Sequence, residues 1–273
     1  MAPESGNLNK SVDRALRLLD LFSEEHRALT ASEIAALLGT TRVTIYPTLN
    51  TLLGRDYLEK DDKGRFCLGM KVVERGGEKL ARLDMRRVAQ QRLRELARSL
   101  DANAHLATLH GEEVLYLERE EGRPAVTLRE IVGRRVSPHC TALGKALLAF
   151  LPEGDRDRLA RSLKYIAHTP KTILNAEEYL ANLEEVRQQG YSVEVEEFHL
   201  GSACIAAPIR RLGGQVVGAI SVSMSVEDFE TVDAPAKAQV VVDTAAGISA
   251  DLGHTESLGE SQNQGGDAEK DLH

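Results

Sequence analysis

Between Asn9 and Ser23, "NKSVDRALRLLDLFS" sets Val12, Ala15, Leu16, Leu19 and Phe22 on one side and Asp and Arg on the other. That spacing predicts an amphipathic helix. In "TASEIAALLG", Ile34, Ala35 and Leu38 form the next apolar face. Thr30 with Glu33 three residues later is a capping box, and Gly39 supplies a stop. A short "TT" leads into "TRVTIYPTLNTLL", where Ile45, Leu49 and Leu52 recur at helical spacing. Two short helices joined by a turn are the helix-turn-helix pattern. Beyond them, strand-like Tyr57 to Lys60 and Phe66 to Leu68 flank the polar turn Asp61 to Gly64, a hairpin that completes a winged helix. Pro47 allows two helix starts. A start near Thr44 puts its missing N–H in the first turn, and a start near Arg42 puts it inside a continuous but bent helix. The cap-like Thr40 and Thr41 favour the earlier start, which exposes Arg42, Val43, Tyr46, Pro47 and Asn50. That surface suits thymine methyls and adenine edges.

In "KVVERGGEKLARLDMRRVAQQRLRELARSL", Val73, Gly76, Leu80 and Leu83 step by three and four, as in a helix-pairing seam weakened by Gly76 and Gly77. The expectation is a linker with a dimer contact. From His105 the pattern turns to alternation. "HLATLH", "EVLYLER" and "AVTLREI" read as strands with turns at Gly111-Glu112 and Glu121-Gly122-Arg123. "TALGKALLAF", Asp155 to Leu163 and Ala176 to Gln189 read as helices. "YSVEVEE", "CIAAPI" and "VVGAISVSM" return to strand around a Gly213-Gly214 turn, and Asp233 to Leu252 closes as a helix. The predicted fold class is α+β, with one antiparallel sheet and flanking helices in the second domain. The expected organisation is 8–70 winged helix-turn-helix, 71–83 linker, 84–253 second domain, and a tail at 254–273 too poor in apolar residues to fold.

Charge alters the picture in one respect. The 273 residues carry 34 Lys/Arg against 42 Asp/Glu, a net −8. Residues 1–83 hold 13 against 12 and the remainder 21 against 30, so only the first segment escapes strong repulsion by phosphate. There is no apolar run of membrane length and no secretory leader pattern. Cys67, Cys140 and Cys204 lie far apart and fit reduced thiols in a cytoplasm.

The run "LTASEIAALLGTTRVTIYPTLNTLLGRDYLEKDDKGRFCLG" resembles the DNA-binding domain of the IclR family of bacterial transcription regulators. Val43 and Pro47 stand where the family commonly has Ser and Arg, so a guanine-reading Arg is missing. The resemblance implies contacts to double-stranded DNA from Thr30, Ser32, Thr41, Arg42, Val43, Thr44, Tyr46, Pro47 and Asn50, with Lys63 and Arg65 on the wing. "GRRVSPHCTALGKALLAF", "GYSVEVEEFHLGSACIAAPI" and "GAISVS" resemble the same family's GAF-like effector-binding domain. It implies a small organic effector, a carboxylate or aromatic acid. The ligand would lie on the backbone N–H groups of Ala142 and Leu143 at a helix start, with Glu194, Cys204, Ser221 and Ser223 around it. Glu194 stands where the family usually has Asp.

The reading is thus a ligand-responsive regulator that works as a homodimer, with a dimer of dimers as the alternative, and without cofactor or metal. Neither repressor nor activator is favoured. No G-x-S-x-G, H-E-x-x-H or G-x-G-x-x-G is present, and Lys145 lacks a phosphate-loop glycine because His139 stands at that position. The rivals are a GAF-like thiol-dependent redox enzyme using Cys140 and Cys204, and a helix-turn-helix serving protein contacts alone.

Overall fold

The computed structural model describes residues 9–23, 25–81, 84–122, 132–231 and 234–254, which form two units dividing after Arg82. In the first, α1 (Lys10–Leu19), α2 (Ala31–Leu37) and α3 (Arg42–Leu53) precede a hairpin of β1 (Leu58–Lys60) and β2 (Phe66–Leu68). Asn9 caps α1, its Oδ1 accepting from Ser11 N at 3.0 Å and Val12 N at 3.3 Å. The capping box at α2 is present: Thr30 N donates to Glu33 Oε2 at 2.7 Å and Glu33 N to Thr30 Oγ1 at 3.3 Å. Leu18, Leu29, Ile34, Ile45, Leu49, Leu52, Leu58 and Phe66 make the core.

One reading of α1 needs correction. Val12 and Leu16 are 55% and 57% exposed, and Leu18 is buried instead. Across from them α3 offers Thr44, Pro47, Thr48 and Thr51, side chains too small to close over the pair, and a groove of about 590 Å³ remains. The helix α4 (Met70–Ala81) buries none of its side chains among the described residues. Met70 and Val73 are both 63% exposed, and ion pairs Lys71–Glu74 and Arg75–Glu78 run along its surface.

The second unit opens with α5 (Asp84–Ser99) and contains β3 (Asn103–His110), β4 (Glu113–Glu120), β5 (Arg135–Val136), β6 (Ser192–Val195), β7 (Ser202–Arg210) and β8 (Val216–Ser225). Its helices are α6 (Ala142–Ala149), α7 (Glu153–Ser162), α8 (Ala176–Gln189), α9 (Val226–Thr231) and α10 (Ala234–Asp251). Among the described residues the strands form one antiparallel sheet in the order β5-β4-β3-β8-β7-β6. The expected strand "AVTLREI" and the expected tail lie outside the described residues, except His254. Because strand side chains alternate, one face buries Val114, Tyr116, Ala206 and Ala219 with α6 and α8. The intervening residues of β7 meet α10, and α5 lies against β3 and β4.

Alternation also places a polar stripe on the α6 face. Glu194, Cys204, Ser223 and Asn103 are successive cross-strand partners, and Ser192, Ala206, Ser221 and His105 form the next row. A sheet face so polar must find partners or accommodate them. Here it lies under the start of α6, where Ser192 Oγ donates to Ala142 O at 2.7 Å.

Candidate functional site

Two surfaces carry the chemistry, one in each unit. The first is α3. Thr41 is its N-cap, with Oγ1 accepting from Thr44 N at 3.3 Å, so the helix takes the earlier of the two starts. Pro47 is its sixth residue and has no N–H for the Val43 carbonyl. Val43 is 85% exposed, and the helix runs on unbroken to Leu53. Ile45, Leu49 and Leu52 are buried, and Arg42, Val43, Tyr46, Pro47 and Asn50 share one shallow exposed hollow.

The other sequence-predicted DNA contacts are exposed or half-buried, but several have local duties. The hydroxyls of Thr41 and Thr44 lie 2.9 Å apart, and Thr30 Oγ1 donates to Glu33 Oε2 at 2.8 Å. Ser32 is exposed on the first turn of α2. On the wing, Arg65 pairs with Asp61 at 2.7 Å, and Asp61 Oδ1 also accepts from Lys63 N at 3.0 Å. Those bonds hold Asp61's carboxyl below the usual range and tie Arg65 down. The Lys63 ammonium has no ion-pair partner among the described residues.

The second surface is a recess at the start of α6. Every residue of this helix is buried, Lys145 included. Thr141 caps it, Oγ1 accepting from Gly144 N at 3.1 Å. The preceding turn is pinned by His139, which bonds Ser137 Oγ at 2.7 Å and Ile166 O at 3.1 Å, and by Tyr179 OH donating to Pro138 O at 3.0 Å. Gly144 lies so close to that turn that a Cβ would sit 2.3 Å from Pro138 Cα and O. The recess is lined by Tyr116, Thr141, Ala142, Leu143, Glu194, Phe198, His199, Ser202, Cys204 and Ser221.

The structure thus brings together Ala142, Leu143, Glu194, Cys204 and Ser221. It leaves Ser223 outside the lining, two residues along β8 from Ser221 and opposite Cys204, with a buried Oγ that meets no partner among the described residues. Ser202, whose buried Oγ also meets no partner among the described residues, does line the recess. Tyr116, Thr141, Phe198, His199 and Ser202 were missed in the sequence. Only Thr141 carried a local signal there, as a Thr heading a helix.

Glu194 is 2% exposed, and its Oε1 accepts from Glu197 N at 2.5 Å and Phe198 N at 3.1 Å. Burial outweighs these bonds and pushes its carboxyl up to about 7. Lys145 Nζ reaches Glu197 Oε1 at 2.5 Å, a buried pair beside it. Residues 196–199 are also tied down by Thr169 Oγ1 and Thr172 Oγ1, which donate to Glu196 O at 2.5 Å and Glu197 O at 2.6 Å. With this segment in place, the recess leaves a water-sized volume of about 10 Å³, room for one water.

Residues 77–250 match the family described as bacterial transcriptional regulator IclR C-terminal, and residues 11–62 match the IclR helix-turn-helix domain. The chain belongs to the IclR family. The HTH-type transcriptional regulator XynR of Escherichia coli K12 is 36% identical over 78% of this chain and 85% of XynR. KipR of Bacillus subtilis is 30% identical over 91% of this chain and 99% of KipR. In three dimensions the chain is similar to an IclR homolog from Microbacterium hydrocarbonoxydans complexed with 4-hydroxybenzoate. That match has a TM-score of 0.79 and 25% identity, and it covers 89% of this chain and 99% of the other.

IclR members are transcription regulators, not enzymes, and this one is a ligand-responsive DNA-binding regulator. The thiol-redox alternative is therefore withdrawn. Burial pushes Cys140 up to about 12, so its thiol stays protonated. The histidines, scattered in sequence, are not all scattered in space. Ligand atoms of His139, Cys140 and His168 lie within 4.8 Å of one another, although both ring nitrogens of His139 are already bonded. Among the described residues no helix is long and apolar enough to cross a membrane.

Proposed function

We propose that a small organic acid enters the recess at the α6 N-terminus and resets the affinity of paired winged helices for an operator. The observation that carries this reading is convergence. Free N–H groups at a helix start, the unpartnered hydroxyl of Ser202, and Glu194, Cys204 and Ser221 from three different strands meet around one recess. A helix start binds a carboxylate without Lys or Arg. The family likeness to a 4-hydroxybenzoate complex supports an aromatic acid among the candidates.

Entry requires the segment carrying Phe198 to move, because the present space has room for no more than one water. The protein then has two arrangements, and a ligand shifts their balance by its differential affinity for them. On the DNA side, α3 enters the major groove with Val43 and Pro47 against thymine methyls and Asn50 on adenine. Two protomers, paired along the exposed stripe of α4, reach half-sites about 34 Å apart.

Thermal-shift screening of the full-length protein against metabolic acids is the direct test, followed by binding to the DNA upstream of its own gene. At least one acid is expected both to raise the melting temperature and to change operator affinity, with both effects lost in Ser221→Ala. An acid that shifts DNA binding equally in Ser221→Ala would refute the placement.

A further inference from the structure

A second cavity, of about 550 Å³, opens at the other end of α6, where Phe150 caps the helix. Its walls are Ala207 and Pro208 of β7 and Val242, Ala245, Ala246 and Ala250 of α10. One strong charge faces these apolar walls. The Arg210 guanidinium sits 4.6 Å from the centre of the Phe150 ring and donates to Gly214 O at 3.0 Å. Among the described residues it forms no ion pair, although sixteen basic–acidic contacts are made there. The guanidinium is half-buried, and its remaining donors are not sealed inside the protein, so they stay open to a ligand in the cavity. Partial burial without a counter-charge is unfavourable. Arg187 adds to the imbalance. It lies in the last turn of α8, whose cap Gly190 lines the cavity; burial first, and then the Arg187 charge, pull Arg210 below the usual guanidinium range.

We propose that this cavity is a second binding site, for a small organic acid whose carboxylate pairs with Arg210 and whose apolar body lies along Pro208, Val242 and Ala245. The volume falls within the ordinary range for small-molecule sites. A guanidinium fork matches a carboxylate with two parallel hydrogen bonds, and the flat walls favour an aromatic or branched body over an inorganic anion. The site is separate from the recess at the start of α6. The eight residues of α6 put the two about 12 Å apart along the helix.

Isothermal titration of the full-length protein with benzoate tests the assignment. Wild-type protein is expected to bind it, Arg210→Gln to bind about tenfold or more weakly, and the exposed Arg187→Gln to bind a few-fold more weakly. Ala246→Leu fills the cavity from the exposed side of α10 without touching either cation. It is expected to give the same loss as Arg210→Gln, and it covers the case in which that variant does not fold. Ser221→Ala, titrated in parallel, separates the two sites. Retention of the Arg210-dependent binding in it supports the second site whatever becomes of the recess. Complete loss of benzoate binding in Ser221→Ala overturns the second site and leaves the recess standing. No benzoate binding in the wild type, unchanged affinity in Arg210→Gln and Ala246→Leu, or equal affinity for inorganic phosphate would each overturn it.

Discussion

Thr41 and Thr141 do the same local work in opposite surroundings. Each caps a helix by accepting the N–H three residues on, at 3.3 Å from Thr44 and 3.1 Å from Gly144. The helix behind Thr41 keeps only Ile45, Leu49 and Leu52 inside and turns Arg42, Val43, Tyr46 and Asn50 to solvent. The helix behind Thr141 is buried along its whole length. A partner as large as a duplex needs polar groups that protrude, with their own hydrogen bonds settled by water until it arrives. A partner the size of a metabolite needs polar groups sealed away, where an unpartnered hydroxyl such as that of Ser202 has value for recognition. The difference shows how one capping device serves both.

The contrast breaks most sharply at Gly144. Gly144→Ala drives a Cβ into Pro138 backbone and is expected to cost about 3 kcal/mol or more, read as loss of cooperative unfolding of the second unit. An exposed position of α3 tolerates change. Val43→Ala should leave the melting temperature where it was.

Glu194 gives the next largest effect, and its sign follows from its titration. A carboxyl that titrates near 7 when folded and near 4.5 when unfolded favours the fold while protonated. That contribution is complete below about pH 4.5 and is lost as pH rises through 7, a swing of roughly 3 kcal/mol. Glu194→Gln stays neutral and can still accept from Glu197 N and Phe198 N. It should therefore gain stability over wild type between pH 5 and pH 8, by up to that amount, in denaturant titrations at each pH. An equal offset at both pH values would contradict the burial of a titrating carboxyl.

On the exposed helix, Asn50→Ala should weaken operator binding by about 1–3 kcal/mol without changing the melting temperature. Equal affinity for the wild-type operator in gel-shift titration would remove Asn50 from the reading surface. The smallest difference compares the two caps themselves. Thr41→Ala should cost about 1 kcal/mol of stability, because water replaces the hydroxyl. Thr141→Ala should cost about 2 kcal/mol, because Gly144 N is left buried without a partner. Chemical denaturation of the two variants side by side measures this.

Periodicity and capping signals made most elements legible. Thr30 with Glu33, the turn Asp61 to Gly64 and the alternation around Ser221 each carry their cause within a few residues. The recess was legible only in part, through family resemblance at Ala142, Leu143, Glu194, Cys204 and Ser221. Tyr116 and Ser202 join it because β4 and β7 are brought under α6 by pairing across the sheet, which no local pattern encodes. Val12 and Leu16 failed for a related reason. Their spacing is that of a core face, but what covers a face depends on the neighbour, and α3 supplies threonines and a proline there. The short α9 and the clustering of His139, Cys140 and His168 likewise arise from tertiary approach. The place of Pro47 was legible too, because the threonine cap that sets the helix start is Thr41, directly before Arg42.

The single-water recess bears on time as well as on affinity. On the proposed function, a metabolite cannot enter until Phe198 and its neighbours swing aside, so the observed binding rate should level off as metabolite is raised. The plateau would equal the frequency of that opening. How quickly a cell using this regulator registers a sudden abundance would then depend on the bonds around Glu194, not on how many molecules are waiting outside.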